Sequence, residues 1–369
     1  MADLSSLVCR AGHEVHIFTL ASKIQERPNL HIHILRSPLR PKFLRTLSFA
    51  VNCRRQVKRG DFTIVHSFGR SWGMDVFQPL GGAQMASLVG NIRSIHNPAG
   101  KLLKILTYLF SLRRFIYFLV EWVQMKEART VIAISAVVKK DLIHYNHLPA
   151  VKVRIVRNGV DLDKFHIRNR EIYREETRKG LKLEDGDILI LFVAHNFRLK
   201  GLRPLIDAMA ELRMRYDHNS FKLGVLGDGK KSAFSRYARK KGVGDKVIFI
   251  GGRADTPRYY AAADICVHPS FYDPSALVVM EAMASGLPVI TAAYCGTSEI
   301  IEDGKEGYVV GNPDNTGELT DRILKLKDYE KRNFMGRQAR RRAKQFPYAR
   351  NMQQILEIYD EYSRLGSRS

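Results

Sequence analysis

Short apolar runs rich in β-branched residues recur along the chain, and longer mixed segments with helical spacing lie between them. The runs are HEVHIFTL (13–20), FTIVHSF (62–68), TVIAISA (130–136), VRIVRNG (153–159), DILILFVA (187–194), FKLGVLG (221–227), KVIFIGG (246–252), DICVHPS (264–270), LPVITAA (287–293) and GYVV (307–310). Several are apolar at consecutive positions, as strands covered on both faces are. Strand and helix in alternation predict an α/β protein with parallel sheets. The charged, apolar-poor stretch 163–186 predicts a boundary between domains 1–165 and 166–369.

One segment breaks the rhythm. KLLKILTYLFSLRRFIYFLVEWVQMKEAR (101–129) is long and apolar, but Arg113 and Arg114 fall in its middle. Each would cost about 2.5–3.5 kcal/mol at the centre of a bilayer, which argues against a span. As one helix it would carry a narrow polar stripe of Lys104, Thr107, Ser111 and Arg114 at steps of three and four. Such a helix either packs in a core or lies in a membrane interface.

A second segment carries acids in an apolar setting. FYDPSALVVMEAMASGLPVI (271–290) places Asp273 ahead of a helix expected near Ala276 and Glu281 within it. The first N–H groups of that helix would lack intrahelical partners and attract an anion, phosphate above all. The two carboxylates would then accept hydroxyls on either side of a phosphate, the outline of a nucleotide-sugar. The plainer alternative makes Asp273 an N-terminal cap and Glu281 a surface acid.

Composition narrows the setting. The 369 residues hold 60 basic and 37 acidic side chains, a net charge of +23. Through Phe165 there are 25 basic and 10 acidic residues, and Arg36 to Arg59 holds eight basic residues and no acid. Such a field suits nucleic acid, anionic lipid or a phosphorylated acceptor, or it is a solvated face. Cys9, Cys53, Cys266 and Cys295 are scattered without a C-x-x-C pair, which fits reduced thiols in the cytosol. MADLSSLVCR has neither the basic start nor the apolar core of a signal peptide.

The remaining motifs follow a fixed order. FVAHNFRLKGL (192–202) sets Arg198 and Lys200 past a strand end, where doubly wound folds bind ligands. GVLGDG (224–229) and IFIGGR (248–253) are glycine-rich strand exits that let a backbone approach a ligand. With the Asp273–Glu281 pair, EAMASGLPVI (281–290), AGHEVHIFT (11–19) and VRIVRNGVDLDKF (153–165), the series resembles the family 4 retaining glycosyltransferases. Asp273 to Glu281 matches that family's Glu-x7-Glu spacing, with Asp in the first place.

The resemblance implies a GT-B fold: two Rossmann-like α/β domains with doubly wound parallel sheets facing a cleft. Residues 1–165 would form the acceptor side and 166–369 the nucleotide-sugar side, with a last helix near 348–366 packing back on the first domain. It implies that Glu281 accepts ribose hydroxyls, Asp273 faces the donor hexose, and Lys200 with Arg198 neutralises the diphosphate. The N–H groups of Ala276, Leu277 and Val278 would hold the terminal phosphate. Gly227 and Gly229 would let the nucleotide lie flat, and the main chain near Arg253 would meet the base. Transfer would need no metal and no further cofactor, since the leaving diphosphate helps deprotonate the incoming hydroxyl. A UDP-sugar donor and a saccharide or lipid-linked acceptor such as lipopolysaccharide core are expected, on the cytoplasmic face of the inner membrane, at an anionic surface and without nucleic acid.

Departures from the pattern are specific. Ala194-His195 stands where many members have Gly-Arg, a shift seen in the lipopolysaccharide-core branch, and Ala276 replaces a Gly. QPLGGAQ (78–84) lacks the His of the family's Thr-x-His, leaving His66 and Asp75 as weaker candidates. The chain opens within the helix ADLSSLVCRAG, so the first sheet is expected to lack the family's N-terminal strand and glycine-rich loop. The rivals are a nucleotide-sugar epimerase of the same fold, an inactive truncated homologue, and a basic nucleic-acid binder. The epimerase lacks a clear acid–base set, and the binder lacks a recognisable module.

Overall fold

The computed structural model describes residues 2–37, 39–216 and 220–364. The first part of the chain runs α1 (Ala2–Arg10), β1 (Val15–Thr19), β2 (Leu30–Ile34), α2 (Lys42–Arg59), β3 (His66–Ser67), β4 (Val76–Phe77) and α3 (Gln84–Arg93). It continues through α4 (Pro98–Leu109), α5 (Leu112–Glu127), β5 (Thr130–Ala133), α6 (Ala136–Asn146) and β6 (Val153–Ile155). The second part runs α7 (Asn169–Gly180), β7 (Ile188–Val193), α8 (Leu202–Tyr216), β8 (Phe221–Leu226), α9 (Lys231–Lys240), β9 (Val247–Gly251), α10 (Pro257–Ala262) and β10 (Ile265–His268). It ends with α11 (Leu277–Ala284), β11 (Val289–Ala292), β12 (Gly307–Val310), α12 (Thr316–Lys325), α13 (Tyr329–Ala343) and α14 (Tyr348–Arg364).

The second part folds around one six-stranded parallel sheet, ordered β12-β11-β10-β7-β8-β9. Its central strand shows why the apolar runs do not alternate. Ile188, Ile190 and Phe192 enter the core on one face, while Leu189 and Leu191 enter the core on the other. Successive side chains point to opposite faces, so a strand covered on both must be apolar throughout.

The first part carries two parallel pieces, β1-β2 and β3-β4-β5-β6. The described strands of the first domain therefore pair in two separate pieces. Phe77, Val131 and Ala133 line one core, and Val76, Ile132 and Val156 line the other. The second is covered by the far end of the chain: Met352, Ile355 and Ile358 of α14 pack there. Tyr362 bonds Thr130 at 2.7 Å, and Arg154 pairs with Glu361 at 2.7 Å. Residues 365 and 366, the expected tip of that helix, lie outside the described residues.

The stretch 163–186 contains α7. Arg174 and Arg178 of α7 grip Asp264 at 2.6 and 3.1 Å, and Arg174 also donates to the carbonyls of Ala261, Ala262 and Ala263. These last carbonyls of α10 and beyond need donors, and two guanidinium groups supply them. The 101–129 segment is two helices, not one. Asn97 caps α4 through a bond from Ala99 N, and the chain turns at Phe110 and Ser111. Ile116, Val120, Gln124 and Met125 bury one side of α5, whereas α4 buries no residue. The core alternative therefore holds for half of α5 and fails for α4. Among the described residues no helix is long and apolar enough to cross a membrane.

Candidate functional site

The segments after β7 and β10 meet the first domain, through Arg198 at Asn91 and Tyr272 at Gly90. The loop after β10 carries Asp273, and α11 follows. Ala276 occupies the N-cap position with no side-chain cap, so the start of α11 offers its N–H groups and positive dipole end to the cleft. Asp273 is not the cap: its Oδ1 accepts only the nearby Ser275 N–H, at 3.3 Å. Its other oxygen, Oδ2, lies 2.7 Å from Lys200 Nζ and 2.9 Å from His268 Nε2.

Burial alone would raise the Asp273 carboxyl, but the His268 N–H and the Lys200 ammonium outweigh it and hold the group at about 2. Burial pushes His268 down, so at neutral pH a neutral imidazole donates to a carboxylate. Lys200 also donates to the Tyr272 carbonyl at 3.0 Å. One ammonium thus sits beside an ionised acid at the mouth of an uncapped helix.

Glu281 is the fifth residue of α11. Its Oε2 accepts the Tyr260 hydroxyl at 2.8 Å. Burial raises the Glu281 carboxyl, with Tyr260 and Lys164 opposing. Tyr260 is fully buried and anchors one oxygen of this side chain. The strand exits contribute backbone. Gly227 has φ +129°, and a Cβ there would lie 1.9 Å from the Ala194 carbonyl, so only glycine fits. Gly229 packs on the Phe197 ring, and exposed Arg253 follows the end of β9.

Three sequence candidates are used otherwise. Arg198 turns to the first domain and donates to the Asn91 carbonyl (3.0 Å) and Oδ1 (3.3 Å). It bridges the cleft as well as bordering it. Asp75 Oδ2 accepts the Val65 N–H at 2.9 Å, and the Asp75 carbonyl accepts Arg129 and Thr130 N–H groups, so it organises a buried turn. His66 stacks on Phe68 and bonds the Tyr359 hydroxyl at 2.6 Å, under α14. Neither is brought to Lys200 and Asp273.

Sequence reasoning missed His268, Tyr260 and the wedge Tyr272. Tyr272 fits against the first domain at Gly82 and Gly90; a Cβ on Gly90 would lie 2.3 Å from its Cβ. Ser135 donates to the Pro274 carbonyl at 2.7 Å, and Glu299 accepts the Ala136 N–H at 2.7 Å. Leu199, Phe271 and Tyr272 belong to the same buried cluster as Phe77, Ala83 and Ala86. The acid-bearing loop is therefore held by both domains.

The buried His66 has a measurable consequence. Burial lowers it to about 3, so the folded chain keeps it neutral while an unfolded chain protonates it near pH 6.5. Below that pH the unfolded state binds more protons, and stability falls as pH falls toward about 3. This predicts a loss of about 2 kcal/mol between pH 7 and pH 5. Urea unfolding at the two pH values checks it; His66→Phe should flatten the difference.

Two Rossmann-like α/β halves, with an uncapped helix and an acid–lysine pair where they meet, define the GT-B fold. The family described as Glycosyltransferase Family 4 matches residues 1–164, and Glycosyl transferases group 1 matches residues 173–342. The first domain thus resembles the one family and the second domain the other. The chain is 36% identical over 157 residues to the lipopolysaccharide glucosyltransferase WaaG of Escherichia coli. That match covers 42% of this chain and 41% of the relative, so the chain spans under half of WaaG's length there. It is 28% identical over 337 residues to an uncharacterised glycosyltransferase of Methanocaldococcus jannaschii, covering 87% and 83% of the two chains. Among solved structures, WaaG superposes with a TM-score of 0.78 at 23% identity over 97% of this chain and 94% of that one. Anabaena HepE, solved with UDP-glucose, gives 0.65 at 20% identity over 90% and 86%.

Proposed function

We propose that the chain moves a hexose, with retention, from a UDP-sugar to a saccharide or lipid-linked acceptor of the lipopolysaccharide-core kind. The observation that carries this reading is the Lys200–Asp273 pair at the open end of α11, with Glu281 one turn deeper. The diphosphate seats on the N–H groups of Ala276, Leu277 and Val278, and the ribose hydroxyls bind Glu281. The uracil lies along the glycine-rich exits near Gly227, Gly229 and Arg253. The bond from anomeric carbon to diphosphate breaks while the acceptor oxygen attacks from the same face. The acceptor's proton passes to the departing diphosphate. Lys200, in exchange for part of its bond to Asp273, meets the growing phosphate charge, and Asp273 orients the hexose. Charge-assisted bonds of roughly 1.5–3 kcal/mol each suffice to hold the diphosphate without a metal ion.

The relatives' names support the donor and acceptor classes: WaaG is a lipopolysaccharide glucosyltransferase, and HepE was solved with UDP-glucose. A panel of nucleotide-sugars, assayed for nucleoside diphosphate release with and without core saccharide, tests the reading. Release from a UDP-hexose, stimulated by acceptor and insensitive to EDTA, is expected. No release from any donor overturns it.

The proposed place of work is the cytoplasmic face of the inner membrane. The α4–α5 hairpin projects Leu109 and Phe110 at its tip, 70% and 85% exposed, with Phe115 and Trp122 alongside. Lys104, Arg113 and Arg114 line a polar hollow with Thr107, Tyr108 and Ser111 at the same end. Apolar tips inserted among headgroups, flanked by cations, suit an anionic lipid surface rather than nucleic acid. Each cation near such a surface contributes about 1 kcal/mol, so Arg113→Glu with Arg114→Glu should weaken binding at least tenfold. Co-sedimentation with phosphatidylglycerol-containing vesicles at low and high salt checks this. Binding that ignores both salt and the double substitution would defeat it.

A further inference from the structure

The two-stranded piece of the first domain carries a cluster that donor chemistry does not use. Parallel register sets His16 opposite His31 and Phe18 opposite His33. Because side chains alternate, Glu14, His16 and Phe18 share a face with His31 and His33. There the Glu14 Oε1 lies 2.9 Å from His31 Nε2 and 3.3 Å from His16 Nε2. One ligand atom from each of the three residues lies within 4.8 Å of the other two.

We propose that Glu14, His16 and His31 form a binding site for a borderline-soft divalent metal ion of the zinc class. Two imidazole nitrogens and a carboxylate oxygen are a donor set that such ions take readily, whereas magnesium and calcium prefer oxygen alone. Zinc bonds of about 2.0–2.1 Å in tetrahedral geometry set neighbouring donor atoms about 3.3–3.4 Å apart. Of the two close separations at Glu14, 3.3 Å meets that value and 2.9 Å lies just below it, so small side-chain shifts complete the site. Three protein donors leave a fourth position for water.

The support around the donors is also present. His16 Nδ1 and His33 Nε2 are 2.9 Å apart. With His16 donating from Nδ1 to His33, its Nε2 lone pair points at the Glu14 carboxylate, an arrangement that a cation between them satisfies. Such outer bonds fix the tautomer and raise ligand basicity in metal sites. The ring of His16 is stacked against His31 at 4.8 Å and His33 at 5.1 Å, and Phe62 closes its edge at 5.2 Å. Packing therefore limits the rotamers that would pull the donors apart. Bound metal would clamp β1 to β2, the smaller of the first domain's two pieces. Its role is structural, since the donor-site residues Lys200, Asp273 and Glu281 lie on the other domain.

Full-length protein freed of metal by chelator dialysis is titrated with zinc by calorimetry and with cobalt by visible absorption. One equivalent should bind in the micromolar range or tighter, about −8 kcal/mol or better in standard free energy, and cobalt should develop an absorption band for a low-coordinate nitrogen–oxygen site. His16→Ala and His31→Gln should each abolish this isotherm. His33→Ala should weaken it about 10–100-fold as an outer partner, and exposed His13→Ala should leave it unchanged. Circular dichroism confirms that each variant folds; zinc should raise Tm for the natural chain but not for His31→Gln. No saturable binding, or an unchanged isotherm in both His16→Ala and His31→Gln, overturns the proposal.

Discussion

Lys200→Met is expected to lower kcat by about 10²–10³ while changing donor affinity by less than about tenfold. The reasoning starts from what Lys200 touches before any donor arrives. Its ammonium is engaged by Asp273 at 2.7 Å and by the Tyr272 carbonyl at 3.0 Å. Ground-state diphosphate must compete with these partners, so the net gain on binding is small. In the transition state the diphosphate carries more charge, and a fixed cation in a water-poor cleft is worth more there than in water. Methionine keeps the apolar stem and removes only the charge. Asp273 retains His268 at 2.9 Å and the Ser275 N–H, so the loop should keep its shape. Steady-state kinetics with a calorimetric donor Kd separate the outcomes. An unchanged kcat with a raised KM would make Lys200 a binding residue only.

The legible part of this architecture was the part governed by local pattern. DILILFVA and TVIAISA reveal strands because both faces of each are buried. LHIHI, which forms β2, reads as a polar break because histidine occupies every second position. β4 is only Val76 and Phe77, too short to leave a period. The break between α4 and α5 comes from two residues, Phe110 and Ser111, with neither Gly nor Pro to mark it.

The site divides the same way. Asp273, Lys200 and Glu281 were visible because they interrupt apolar strand ends and an apolar helix. His268 was not, since a histidine closing the buried run ICVH reads as core until the 2.9 Å bond to Asp273 is in view. Arg198 was legible as a cation but not as a bridge, because Asn91 lies 107 positions away in sequence. The wedge of Tyr272 against Gly90 is likewise a meeting of domains that no local spacing encodes.

Glu281→Ala is expected to weaken donor binding by about 1.5–3 kcal/mol, ten- to over a hundredfold, and to do so in Kd and kcat/KM alike. A carboxylate that accepts ribose hydroxyls makes the same bonds in ground and transition states, so its loss is uniform. This sets it apart from Lys200. The structure adds a control that the sequence could not supply. Glu281 is anchored by buried Tyr260, whose hydroxyl also lies 3.2 Å from the Val278 carbonyl. Removing the carboxylate therefore leaves that hydroxyl one acceptor, and the fold should survive. Tyr260→Phe should weaken binding less than Glu281→Ala, because it frees the carboxylate without removing it. Glu281→Gln keeps the shape and one acceptor oxygen, and should fall between the natural chain and Glu281→Ala. Calorimetric titration with the UDP-sugar, on variants shown to unfold at the natural chain's urea midpoint, gives the order. Equal affinity across all four proteins would remove Glu281 from the donor site and return it to the surface acids.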